Sequence, residues 1–292
     1  MQTATQHKRP IWPRVQREIV AVTLNILTTL LALGFMFPFL WSVSSALKTG
    51  IEVLAYPPKL LPAVPQWGNF AEAWTSIRFG VFFKNSIIVT FMVLVGTLVS
   101  STLVAYGFAR FRFPGREILF LLCLSGMMMP VYVTIIPLFM MFRALRWVNT
   151  LKPLIAPAFF GRAFGIFLMR QFLMSSPFEL DESALLDGAS RLRILGRILL
   201  PNCQPALAAL AIFTFRGAWD EFLHALIFLD KVEKYTLPLG LWFLRTYTDD
   251  PGKPREHLIM AGSLIATLPV VAVFASAQSY FIEGIVMSGI KG

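Results

Sequence analysis

The sequence predicts an all-α membrane protein of six transmembrane helices, on three observations. Charged residues make up only 14% of the chain, against roughly 25% in soluble domains. Mean hydropathy is +0.66, so lipid rather than water is the solvent for much of the surface. Uncharged runs also recur at lengths that fit a bilayer. A helix rises 1.5 Å per residue, and crossing a hydrocarbon core of ~30 Å takes about 20 residues.

The elements follow in order. Basic residues Lys8, Arg9, Arg14 and Arg17 precede a charge-free run of 29 residues, Ile19–Leu47. A secretory signal has an apolar region of only ~7–15 residues, so this run is expected to stay as a spanning helix. Asn85–Ala109, Ile118–Phe142 and Leu258–Ile282 are also free of charge. Two further runs carry interruptions: Pro153–Met169 contains Arg162, and Pro205–Leu229 contains Arg216, Asp220 and Glu221. The expected division is therefore a tail at 1–18, a first helix with the connection after it at 19–84, a five-helix core at 85–282 and a tail at 283–292. An even number of spans puts both termini on one side. Lys and Arg divide evenly between the two sets of connections, so the positive-inside rule does not say which side that is. Lys48–Lys84 is punctuated by Pro57, Pro58, Pro62 and Pro65, and Asp230–His257 mixes both charges. Proline blocks a continuous helix, and both segments read as water-exposed loops.

Composition excludes several function classes. The net charge of +10 lies between apolar runs and not on one face, as a nucleic-acid binder would place it. Cys123 and Cys203 share no metal-binding spacing, and His7, His224 and His257 are scattered. No metal site is expected. No GxxxxGK[ST] phosphate loop occurs, so ATP hydrolysis by that route is absent from the chain.

The connection at 175–204 is unlike the others. Ser176-Pro177-Phe178-Glu179 has the pattern of a helix start, with Ser as N-cap, Pro next and Glu three residues on. That helix is expected to run to about Asp187 and end at Gly188, with Ser190 capping a second short helix before Pro201. Both pieces are too short and too charged to cross a bilayer.

Glu182-Ser183-Ala184, three residues, Gly188, nine residues and Ile198-Leu199-Leu200-Pro201 resemble the EAA signature of ABC-importer permeases, with Ser183 in place of the middle alanine. Asp187-Gly188-Ala189-Ser190 and Arg170-Gln171-Phe172 are similar to the carbohydrate-transporter branch, the maltose-permease type. Pro38-Phe39-Leu40-Trp41, Ala46-Leu47-Lys48-Thr49, Ala218-Trp219-Asp220-Glu221-Phe222, Tyr235–Gly240 and Gly289-Ile290-Lys291-Gly292 extend the resemblance in the right order. It implies the type I ABC-importer permease fold in the cytoplasmic (inner) membrane. Glu182, Ser183, Ala184, Asp187, Gly188, Ala189, Ile198 and Pro201 would then dock on a cytoplasmic ATPase and couple it to the spans. This loop and both termini would face the cytoplasm. Implied partners are an ATPase dimer carrying ATP and Mg²⁺, a second homologous permease chain, an extracytoplasmic solute-binding protein and a saccharide. No cofactor is expected in this chain.

Arg162 and Arg216 sit about ten residues into their spans, near the bilayer midplane. With Trp219, Asp220 and Glu221 they are candidates for the translocation path. A central arginine is costly against lipid and is expected to face protein or water. One reading is that the guanidinium groups receive carboxylates of an acidic oligosaccharide. Another is local neutralisation, since Arg216 and Asp220 are i, i+4. A different class, an intramembrane enzyme using Asp220 and Glu221, would need a second in-membrane aspartate or a full zinc-binding pattern, and the spans supply neither.

Overall fold

A computed structural model describes residues 14–76, 78–246 and 255–289. The tail segments 1–13 and 290–292 lie outside the described residues. Every regular element among the described residues is helical. The helices that organise the fold are α1 (Arg14–Ala46), α2 (Gly68–Ser76), α3 (Phe79–Arg110), α4 (Arg116–Ser125), α5 (Val131–Ala144), α6 (Ala163–Ser175), α7 (Glu179–Leu186), α8 (Arg191–Ile194), α9 (Gln204–Trp219), α10 (Leu223–Phe228), α11 (Leu237–Thr246) and α12 (Glu256–Gly289).

Four segments are long and apolar enough to cross a membrane unaided: Glu18–Ala46, Phe79–Arg110, Lys152–Ser175 and Glu256–Ala277. The remaining two expected spans are bent. The run expected to be one helix over 118–142 breaks at Met129-Pro130, and α4 with its short extension to Met128 meets α5 at 101°. Proline has no N–H to donate and clashes with the preceding turn, so an apolar run long enough to span does not stay straight. Residues 191–202 likewise meet α9 at 84°. The run expected to be helical over 205–229 stops at Trp219, and α10 resumes at Leu223. The fourth span is interrupted as well: a 3₁₀ turn at Ala156–Phe160 leads into Gly161, at φ +82°, and Arg162 in extended backbone before α6 starts.

The most extensive helix packing radiates from α3. It packs on α6, α9, α11 and the turn at Ala156–Phe160. Close approach to α6 requires Gly165, where a Cβ would sit 2.6 Å from Ser101 Oγ. By contrast the apolar window of α1 has no buried residue, and α1 rests against α12.

The connection after α1 is more ordered than its prolines suggest. Asn69 Nδ2 donates to the Ala46 and Lys48 carbonyls, both at 2.8 Å. Lys48 is buried, with Nζ donating to the Lys59 carbonyl at 2.6 Å and lying 4.5 Å above the Trp41 ring. Its charge is met by a carbonyl dipole and a ring face instead of a carboxylate.

Candidate functional site

The segment after α6 folds into two short arms around a glycine corner. Ser176 does not cap the first arm. It takes an extended conformation, φ −81° and ψ 137°, and its carbonyl accepts from Arg110 Nη2 at 3.1 Å. The arm α7 starts instead at Glu179, without a side-chain cap, and Glu179, Asp181 and Glu182 place negative charge where its dipole favours it. At its end Gly188 adopts φ +79°, a left-handed conformation that costs a residue with a Cβ. Gly188 N–H donates to the Leu185 carbonyl at 3.0 Å, and Ala189 N–H to the Ala184 carbonyl at 2.9 Å. That pair of bonds is the Schellman arrangement, which satisfies the last carbonyls of a helix. Ser190 Oγ then accepts from Arg193 N–H at 3.4 Å and starts α8 as expected.

The two arms have opposite faces. Ala184, Ile194, Leu195 and Leu199 are buried with Tyr106, Met169 and Leu173 in one apolar cluster, against which Ala189 and Ile198 also pack. Glu182, Ser183, Asp187, Gly188 and Pro201 are exposed. Leu186, at the tip, is 91% exposed. The corner therefore presents two carboxylates, a small residue and a leucine to whatever lies beyond it.

Two residues that fix this arrangement were not singled out in the sequence. Arg110 Nε lies 2.8 Å from Asp181 Oδ2, with side-chain exposures of 0% and 5%. The Arg110 guanidinium also stacks 4.5 Å from the Phe178 ring. Close by, Arg170 pairs with Glu117 at 3.2 Å and covers the Phe120 ring at 4.1 Å. A charge at a helix end 71 residues from its partner gives no local spacing signal.

The second constellation is a cavity of about 110 Å³ between α3, α5, α9 and α10. Its wall is mostly apolar (Val89, Val93, Phe142, Leu154, Phe228), and Arg162, Glu221 and His224 supply its polar groups. Arg162 reaches it because the break at Gly161–Arg162 turns the chain out of helix. Glu221 reaches it from the break after α9, where its Oε1 accepts from His224 N–H and its Oε2 contacts His224 Nδ1, both at 3.0 Å. Arg162 and Glu221 line the same cavity without ion-pair contact.

The other path candidates are elsewhere. Arg216 and Asp220 pair with each other at 3.6 Å on an exposed surface, so the i, i+4 neutralisation is realised. Trp219 does not line the cavity. It is buried against Phe83 and Phe215 and donates Nε1–H to the Ala266 carbonyl at 3.1 Å.

Six membrane-length segments with breaks at depth, together with an amphipathic two-armed loop at one end, define a polytopic transport component. Residues 99–286 match the family described as binding-protein-dependent transport system inner membrane component. The chain belongs to that family. It is 33% identical over 281 residues to the probable ABC transporter permease protein YurM of Bacillus subtilis, covering 96% of this chain and 92% of that one. It is also 33% identical over 281 residues to the arabinooligosaccharides transport system permease protein AraQ of the same organism, covering 95% and 98%. In fold it matches a chain of a bacterial ABC transporter involved in the import of the acidic polysaccharide alginate. That match has TM-score 0.82, 24% identity, 94% coverage of this chain and 100% of that one. The chain is thus a multi-pass membrane permease subunit, and the enzyme alternative built on Asp220 and Glu221 finds no support among these relatives.

Proposed function

We propose that this chain is one of two homologous permease subunits of an ATP-driven saccharide importer, fed by an extracytoplasmic binding protein. The loop 175–204 docks on a separate ATPase that holds ATP and Mg²⁺. The observation that carries the reading is the corner at Gly188. Glu182, Asp187 and Leu186 are exposed there, while Ala184 on the same helix is buried. Charged, small and apolar groups thus share one exposed tip whose opposite side is anchored in the core, the layout of a docking surface. The saccharide class follows the names of the relatives, AraQ among them.

Glu182→Lys and Gly188→Pro should leave insertion intact and abolish ATP hydrolysis stimulated by the loaded binding protein. Full stimulation in both variants would sink the reading. The same reading puts this loop and both termini in the cytoplasm. With Cys123 and Cys203 replaced by Ser, a membrane-impermeant maleimide on intact cells should tag Tyr56→Cys and spare Ser190→Cys. The reverse pattern inverts the topology.

That the saccharide is acidic rests on a narrower observation. Arg162 is the one Arg or Lys among the residues lining the cavity, since Arg216 is taken up by Asp220. Arg162→Gln in the reconstituted complex should cost uronate-oligosaccharide transport at least about tenfold, the scale of a charge-assisted contact, and spare neutral oligosaccharides. Preference for neutral sugars in the unaltered complex removes this reading and leaves the first intact.

A further inference from the structure

Both arms of the loop 175–204 are tied to α3 rather than only to the spans they join. Arg110 holds the first arm through the Asp181 carboxylate at 2.8 Å and the Ser176 carbonyl at 3.1 Å. Tyr106 holds the second, donating its hydroxyl to the Arg191 carbonyl at 3.2 Å. Tyr106 and Arg110 are i, i+4, on one face of the same helix, and both are buried. From that end α3 runs 32 residues without a proline, about 48 Å at 1.5 Å per residue. Midway it supplies Val89 and Val93 to the cavity wall. At its far end Asn85 Nδ2 donates to the Glu233 and Tyr235 carbonyls at 3.0 and 2.9 Å, and Ser86 Oγ accepts from Leu237 N–H at 2.8 Å. The covalent neighbours of the loop are poorer levers, because the fourth span is interrupted at Gly161–Arg162 and the fifth bends by 84° just after the second arm.

We propose that Tyr106 and Arg110 are positioning residues that yoke the loop 175–204 to α3, and that α3 carries the loop's displacement as one rod past the cavity to the outer connection at 230–237. The proposal rests on the docking role given to the loop, and the test separates the two. In the assembled complex with Cys123 and Cys203 replaced by Ser, maleimide labelling is timed at Ser190→Cys and at Lys84→Cys, with and without ATP plus vanadate. In the otherwise unaltered chain both rates should change by about fivefold, a modest coupling between sites. With Asp181→Asn the change at Ser190→Cys should persist and the change at Lys84→Cys should disappear. A Lys84→Cys response that survives Asp181→Asn, or that is missing without it, overturns the yoke. A Ser190→Cys probe indifferent to nucleotide in the unaltered chain overturns the docking role itself, and the yoke with it. If Asp181→Asn prevents assembly, Tyr106→Phe, which removes only a hydroxyl, and the exchange of Arg110→Asp with Asp181→Arg decide the question. Loss of the distal response in the first and its recovery in the second support the yoke, and an unchanged response in Tyr106→Phe counts against it.

Discussion

The two ends of α3 are held by different chemistry. At the end beside the loop 175–204 a guanidinium and a carboxylate meet with almost no exposure, and the arginine also satisfies a carbonyl. At the far end a neutral amide donates to two carbonyls, a hydroxyl receives one N–H, and the one ion pair there among the described residues, Arg78 with Glu233, is 61% and 57% exposed. A buried pair fails as a unit, because removing one partner strands the other charge in a low dielectric. Neutral bonds to carbonyls fail one at a time. The loop end is therefore brittle and the far end tolerant.

That contrast can be broken by measurement, most directly through thermal unfolding of the purified protein in detergent. Arg110→Ala leaves Asp181 uncompensated and should cost about 3–5 kcal/mol. Asn85→Ala removes two hydrogen bonds and should cost roughly 1–3 kcal/mol. If Asn85→Ala proves the more damaging, the ranking of the two ends is wrong. Gly188→Ala comes next, at roughly 1–2 kcal/mol, from the left-handed backbone alone. No atom lies within 4 Å of the added Cβ, so a larger loss would reveal a contact at the corner instead of strain. The smallest effect belongs to Glu233. A bond from its own backbone, then the Arg78 guanidinium, holds its carboxyl below the ordinary carboxylate value. A depressed folded value adds stability above the unfolded pKa of about 4.3, lost as pH falls through the folded value. Because the pair is exposed, Arg78→Ala should lower the unfolding temperature only slightly at pH 7, and flatten its decline below about pH 4 by that same small amount. A large loss at neutral pH would make this end as charge-dependent as the other.

Much of this was legible in one sequence, and the rest was illegible for identifiable reasons. The apolar runs, four of them uncharged and two interrupted, locate the six segments because lipid imposes the same demand along a span. Gly188 and Ser190 could be placed because a left-handed corner and a cap are local requirements. The Ser176 capping box failed for the opposite reason. The local pattern was present, but the Ser176 carbonyl is engaged by Arg110, 66 residues away, and the helix begins only at Glu179. Hydropathy also read Ile118–Phe142 as one straight span, since an average over a window does not register what Pro130 does to a single turn. Arg162 was expected to face protein or water. Only the break after Gly161 explains how it leaves the helix and reaches the cavity that Glu221 also lines.

The interruptions at Met129-Pro130, Gly161–Arg162 and Asp220–Phe222 have a consequence for how the chain can exist. Peptide groups outside a helix cannot be left facing acyl chains, because nothing there hydrogen-bonds them. Two of these three breaks border the same cavity inside the chain, but the third is bare, with Met128 and Met129 84% and 58% exposed, so that side of the chain is unfit to be a lipid-facing surface. A solitary copy would sit in the bilayer with that side either flooded or misfolded. Synthesis without a companion to cover it should therefore yield a short-lived protein, cleared by membrane quality-control proteolysis before it can accumulate.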